Sequence, residues 1–196
     1  WGWRIPFLFS AVLIVLALWI RGGIEETSAF QKQKESGEIA KVPIVETFRN
    51  HRKSLFHVIG LKIGDGFFNV FLMSFVLVYT TTYLGYSNEI ALTALTIGCA
   101  TMIITIPVVG YISDFIGRKV IYISGLVLMF LLAIPYFFMI EQGATWLYYM
   151  QAAMLGIIWA AIFATQGTLF SELFPAKVRY TGLSFGYQMA AAIVGF

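Results

Sequence analysis

The sequence predicts an all-α fold, a polytopic membrane helix bundle. Three observations predict it. Apolar residues make up 59% of the 196 residues and aromatic residues 17%, and only 12% are charged. Soluble domains carry about 25% charged residues. The charges present fall in short stretches between long apolar runs, six in number, near residues 5–20, 55–84, 90–113, 120–140, 144–171 and 180–196. A net charge of +3 distributed in this way marks loops and excludes a nucleic-acid surface as the chain's purpose. The single cysteine, Cys99, lies within an apolar run, so no internal disulfide forms.

Taken in order, the first run does not read as a signal peptide. The chain starts at Trp1, carries no basic leader, and continues as Ile20-Arg21-Gly22-Gly23 without a small-x-small cleavage site. Residues 1–21 are therefore expected to be a membrane helix of a fragment that begins inside a longer protein. Residues 22–53 form the one sizeable polar stretch, and the charge mixture of KQKESGEIAK predicts a solvated linker between two bundles, with a short surface helix near 42–50. Residues 54–196 hold the remaining five runs, the last truncated. The runs 90–113 and 120–140 contain no charged residue, and each is long enough to cross a hydrocarbon core of roughly 30 Å, which needs about 20 apolar residues in a helix. Pro107 and Pro135 are expected to kink their helices. His51 and His57 have no further ligand at metal spacing, so no metal site is expected.

Between those two runs lies GYISDFIGRK, residues 110–119. Residues 114–119 must reverse the chain at a membrane face, with Asp114 and Arg118 at i and i+4, Gly117 allowing the reversal, and Arg118 and Lys119 placing positive charge beside the membrane. Alternating helices put this turn, the linker and the turn near 174–179 on one side. Eleven of the thirteen Lys and Arg residues fall there, and none lies in the two opposite loops, which makes that side, linker 22–53 included, cytoplasmic.

GYISDFIGRK resembles the G-x-x-x-D-x-x-G-R-K signature of the major facilitator superfamily of secondary transporters, with Gly110, Asp114, Gly117, Arg118 and Lys119 at the signature positions. Glu172, Pro175 and Arg179 in SELFPAKVRYTG resemble the E-x-x-P-x-x-x-R pattern between the tenth and eleventh helices of sugar-porter-like members and metabolite:proton symporters (shikimate, alpha-ketoglutarate and proline/betaine transporter-like). WGWRIPFLFS and IEETSAF are similar to the sixth helix of those symporters, with Ser28 where many members have proline. The resemblance implies a chain running from helix six (1–21) through the inter-half linker (22–53) to helices seven to eleven (54–196). The N-terminal half would then be a partner supplied by the same transporter. It further implies that Asp114, Arg118, Glu172 and Arg179 form a cytoplasmic gate network holding helix ends together, whereas Lys119 and Lys177 read as solvated turn charges.

A second group lies inside the run 55–84. Ionisable side chains within a membrane are costly and mark function. At 100° per residue Lys62, Asp65, Asn69, Met73 and Thr80 form one stripe, and Gly60 and Gly64 lie on the opposite side, where a neighbouring helix could approach closely. Asp65 stands about 18 Å along a helix from Lys53, near mid-membrane. Asp65 and Lys62, with Asn69 and Gln166, are the candidate substrate and proton-coupling residues. In similar members a basic residue is followed by an acidic residue with an adjacent asparagine, whereas here Gly66 follows Asp65 and the asparagine is Asn69. Thr165, Trp159, Tyr187 and Gln188 are further cavity candidates on helices that line the C-terminal half in that family.

No H-E-x-x-H, nucleophile with base, or paired carboxylates occur, so the chain is not expected to be an enzyme, and no cofactor is expected beyond a proton gradient. The expected function is proton symport of a small polar or anionic metabolite, an organic acid or a compatible solute, by alternating access in a bacterial inner membrane, multi-pass. A facilitative or drug- or sugar-type transporter without proton coupling is the alternative, and a channel a lesser one. The partners are then a small-molecule substrate and the lipid bilayer, with no nucleic acid.

Overall fold

The computed structural model describes residues 2–23 and 43–195, and among them all regular structure is helical. The chain divides into two compact units, Trp1–Lys41 and Val42–Phe196. In the first, a 3-10 turn, Gly2–Arg4, leads into α1, Ile5–Gly23. Its apolar part, Phe7–Gly22, is shorter than the long helices of the second unit. The linker between α1 and residue 43 lies outside the described residues.

The second unit opens with α2, Pro43–Asn50, the short helix expected near the end of the linker. Four helices long and apolar enough to cross a membrane follow: α3, Arg52–Thr82; α4, Asn88–Ile116; α5, Arg118–Ile140; and α6, Ala144–Ser171. With α7, Arg179–Gly195, they complete the bundle. At 1.5 Å per residue the four long helices reach about 35–46 Å, more than a hydrocarbon core requires. α4 and α5 continue through Pro107 and Pro135, and where the long helices stop the cause is local. Ser87 caps α4 by accepting a hydrogen bond from the Ile90 amide. Gly143, at φ +143°, starts α6.

The turn between α4 and α5 is tighter than the sequence suggests. Asp114, Phe115 and Ile116 complete α4, and Arg118 and Lys119 already belong to α5. The expected six-residue reversal is one residue, Gly117, at φ +102° and ψ +128°. An L side chain rarely adopts that conformation, which is why glycine stands there.

Close packing depends on small residues, because lipid tails supply no hydrophobic drive between apolar helices and van der Waals approach must supply it. α3 packs along α7 at Gly186, where an added Cβ would lie 2.7 Å from Val58 Cγ1. α4 and the middle of α6 meet through Gly98, facing Leu155, and Gly156, facing Thr101. α5 meets the second half of α6 at Gly125, which faces Ile162. The expectation that Gly60 and Gly64 let a neighbour approach is corrected here. Among the described residues, Gly60 has nothing within 4 Å of a Cβ position, and Gly64 meets only Leu126 at 3.9 Å. The glycines that admit close neighbours on this seam are Gly186 of α7 and, more loosely, Gly66 of α3, facing Val194 at 3.3 Å.

Two helices carry π-helical stretches, Phe71–Phe75 in α3 and Ala152–Trp159 in α6. Such stretches shift side-chain register within a continuous helix and occur frequently at functional sites. Gln151, the residue before the second stretch, donates through Nε2 to the Leu72 carbonyl within the first at 3.2 Å.

Candidate functional site in the membrane-spanning bundle

Asp65 is completely buried on α3, one turn beyond Lys62. The i,i+3 spacing brings the two side chains together, and Lys62 Nζ donates to Asp65 Oδ2. The same ammonium donates to Gln166 Oε1 of α6 at 3.0 Å and sits 5.0 Å from the centre of the Tyr187 ring of α7. One cation thus ties three helices to a single carboxylate. The other carboxylate oxygen, Oδ1, is buried without a hydrogen-bond partner among the described residues. Burying a pair of charges is costly unless each is hydrogen-bonded. An ionised carboxylate with one bare oxygen is therefore a half-satisfied arrangement.

Lys62 also opens onto a cavity of about 270 Å³ between α3, α6 and α7, walled by Gly66 and Asn69 of α3, Trp159 and Phe163 of α6, and Ala190 and its neighbours on α7. The Trp159 ring stacks on Phe163 with centroids 5.2 Å apart, and its Nε1–H is buried without a partner among the described residues. Asn69 is partly exposed and lines the cavity. The helical stripe drawn from the sequence therefore divides. Lys62 and Asn69 reach the cavity, Asp65 stands behind Lys62, and Thr80 bonds back to the Val76 carbonyl of its own helix at 2.8 Å.

Among the further candidates, Gln166 is at the pair and Tyr187 beneath the ammonium, whereas Thr165 is spent on the Ala161 and Ile162 carbonyls and Gln188 is exposed. Two contributors were not foreseen. Tyr122 of α5, fully buried, donates to the Leu61 carbonyl at 2.9 Å and pins α3 beside Lys62. Gln151 anchors the π stretch of α3 from α6. Neither carries a sequence signal beyond being a polar atom in an apolar run. No group of three or more metal-ligating side chains occurs among the described residues.

A second polar cluster forms at the end of the bundle marked by Gly117. Arg118 donates through Nη2 to Asp114 Oδ1 at 2.9 Å and through Nη1 to Glu172 Oε1, so one guanidinium links the end of α4, the start of α5 and the end of α6. Three of the four expected gate residues meet. Arg179 does not join them; its Nε donates to the Phe174 carbonyl at 3.2 Å and closes the turn before α7. Gly110 lies in α4, where a Cβ would find open space, and Lys119 takes no ion-pair partner among the described residues. Lys177, expected to be a solvated charge, pairs instead with Glu46 of α2. With the edge-on contact of Phe48 and Phe185 at 4.8 Å, that pair holds the short helix under α7. At the opposite end Tyr79 donates to Glu141 at 3.0 Å and Tyr86 to the Ile140 carbonyl at 2.8 Å, tying the α3–α4 loop to the end of α5.

Comparison with known proteins agrees with this architecture. The chain is 33% identical over 198 residues to the shikimate transporter of Escherichia coli, covering all of this chain and 45% of that protein. It is 30% identical over 207 residues to the proline/betaine transporter of Salmonella typhimurium, covering all of this chain and 41% of the relative. The alpha-ketoglutarate permease of Escherichia coli is 26% identical over 201 residues, with all of this chain and 44% of the permease covered. The chain thus spans less than half the length of the curated relatives it matches, and these relatives are named as transporters and a permease rather than enzymes. No solved structure matches. The family model of the Major Facilitator Superfamily matches residues 1–196, the whole chain, and together with the membrane-length helices and the Gly117 turn this makes the chain a member of that superfamily.

Proposed function

We propose that the chain is the part of a secondary active transporter that couples proton movement to the uptake of a small polar or anionic metabolite, an organic acid or a compatible solute, by alternating access. The observation that carries the reading is the Lys62–Asp65 pair, buried in the long helix α3 beside a cavity, with one carboxylate oxygen unsatisfied. Ionisable groups at such depth mark ion and substrate pathways. When Asp65 takes up a proton its charge disappears and Lys62 is released from its strongest partner; when the proton leaves, the pair re-forms. A group that exchanges a proton for a counter-ion in this way links protonation to the availability of a cation at the cavity wall. The names of the relatives support a metabolite or solute as cargo.

In this reading residues 1–21 are the last helix of the preceding half, 22–53 the cytoplasmic linker, and 54–196 helices of the C-terminal half, in a multi-pass protein of the bacterial inner membrane. No cofactor is needed, since the proton gradient is the energy source. Asp114, Arg118 and Glu172 act as a cytoplasmic latch that holds the ends of α4, α5 and α6 together in one state of the cycle and parts in the other. Arg179 supports the latch only by fixing the neighbouring turn.

The test is Asp65→Asn in the full-length transporter reconstituted in proteoliposomes. Proton-driven accumulation should vanish while counterflow exchange of substrate survives. Unchanged dependence of uptake on pH would defeat the coupling role. It would favour a facilitative cycle, in which the pair stays closed and neutralises itself.

A further inference from the structure

The short helix α2, Pro43–Asn50, is amphipathic with its faces reversed. At 100° per residue Ile44, Phe48 and Val45 share one side with Arg49, and Glu46, Thr47 and Asn50 take the other. A surface helix ordinarily turns its apolar side to the core. Here the polar side is the one that packs: Thr47 is 1% exposed and Glu46 pairs with Lys177, whereas Ile44 and Val45 are 45% and 58% exposed. Phe48 touches Phe185 of α7 edge-on and is still 42% exposed. Left in water, that side forfeits the hydrophobic stabilisation that covering it would bring.

Depth and charge together say what covers it. Lys177 lies just before Arg179, the first residue of α7, and Phe185 lies nearly two turns beyond Arg179, about 9 Å along the helix. With partners at both positions, α2 stands beside the first turns of a bundle helix rather than below its end. The membrane-length helix α3 starts at Arg52, directly after α2. Helices that lie in a bilayer interface bury their apolar face about 5–10 Å into the boundary between headgroups and acyl chains. Arg49, Arg52 and Lys53 gather at the same end of α2, all exposed, and none has an ion-pair partner among the described residues. Arg52 spends its Nε on the Phe48 carbonyl at 2.8 Å and keeps the other N–H groups of its guanidinium. A protein surface covering this side would have to bring carboxylates to these cations, whereas a membrane brings phosphates.

We infer that α2 is a docking element for an anionic phospholipid surface: Ile44, Val45 and Phe48 enter the boundary between headgroups and acyl chains, and Arg49, Arg52 and Lys53 receive the phosphates. The two halves of the contact need each other. The apolar side is three residues wide and holds the helix at the interface, and the cations at its end select the headgroup, each favouring an anionic surface by about fivefold. Glu46 and Lys177 join this anchor to the turn that opens α7, so the lipid surface holds that turn through α2. The role is independent of Lys62 and Asp65.

The experiment uses the full-length transporter in proteoliposomes, its other cysteines replaced by serine, with a small fluorophore attached through Val45→Cys. Three quenchers are compared: phosphatidylglycerol with brominated chains, phosphatidylcholine with brominated chains, and acrylamide dissolved in the water. Both lipids should quench the label and acrylamide should do so only weakly. Phosphatidylglycerol should be preferred over phosphatidylcholine, and that preference should fall by about fivefold for each cation removed in Arg49→Gln and in Arg49→Gln/Lys53→Gln. These side chains are exposed, so the variants leave the packing of the bundle intact. A label that neither lipid nor acrylamide reaches is covered by the rest of the transporter, and one that acrylamide alone reaches stands in water; either result overturns the inference. Equal quenching by the two lipids, or a preference unaltered in the double variant, overturns it as well.

Discussion

Replacing Lys62 by methionine isolates how the intramembrane pair is held. The substitution keeps the length of the stem and removes the cation from Asp65, whose side chain is 0% exposed and whose Oδ1 already lacks a partner. Breaking a buried pair on one side costs about 3–5 kcal/mol, because the remaining charge has neither water nor a counter-ion. Gln166 loses a donor 3.0 Å from its Oε1 at the same time. The double variant Lys62→Met/Asp65→Leu removes both charges and should regain most of the loss, since apolar replacement of a whole buried pair is often neutral. The assay is thermal unfolding of the purified full-length transporter in detergent, for the parent, both single variants and the double, read as a double-mutant cycle. A loss below about 1 kcal/mol for Lys62→Met, or a double variant as damaged as the single one, would refute the reasoning. Either result would mean that water already reaches Asp65.

Three further expectations follow from particular contacts. Arg118→Gln should reduce transport several-fold while changing unfolding stability by no more than about 1 kcal/mol, because both of its partners are more than half exposed; a stability loss that accounts for the activity loss would remove the latch. Gly186→Ala should destabilise by about 1–3 kcal/mol, since its Cβ would lie 2.7 Å from the β-branched and fully buried Val58, and an unchanged melting temperature would show that α3 and α7 are less close than described. Gly60→Leu should cost less than about 1 kcal/mol, given open space at its Cβ position; a loss as large as that of Gly186→Ala would reinstate Gly60 as a packing residue.

The membrane-length helices were legible because the bilayer imposes a simple demand, a run of uncharged residues long enough to cross it, and that demand is local in sequence. Charge pairs within one helix or across one turn were legible for the same reason. Lys62 with Asp65 and Asp114 with Arg118 stand three and four residues apart, and helical geometry alone brings them together. The Gly117 turn was placed correctly but drawn too long, since hydropathy shows where charge begins and not where helical hydrogen bonding stops.

Composition and spacing alone settled that this chain is a helical membrane bundle, where its spans lie, and which charges inside and beside them deserve notice. The bundle decided which of those charges meet: Gln166 with Lys62 across 104 residues, Glu172 with Arg118 across 54, Lys177 with Glu46, and Arg179 with a backbone carbonyl instead of a carboxylate. It also decided that Gly186, not Gly60, admits the close neighbour, and that the Trp159 N–H is buried without a partner among the described residues. The physical reason is shared. In a membrane protein the lipid-facing and protein-facing sides of a helix are both apolar. The rotation of each helix about its axis, which selects partners far apart in sequence, therefore leaves little trace in the pattern of residues and is set only when the helices pack.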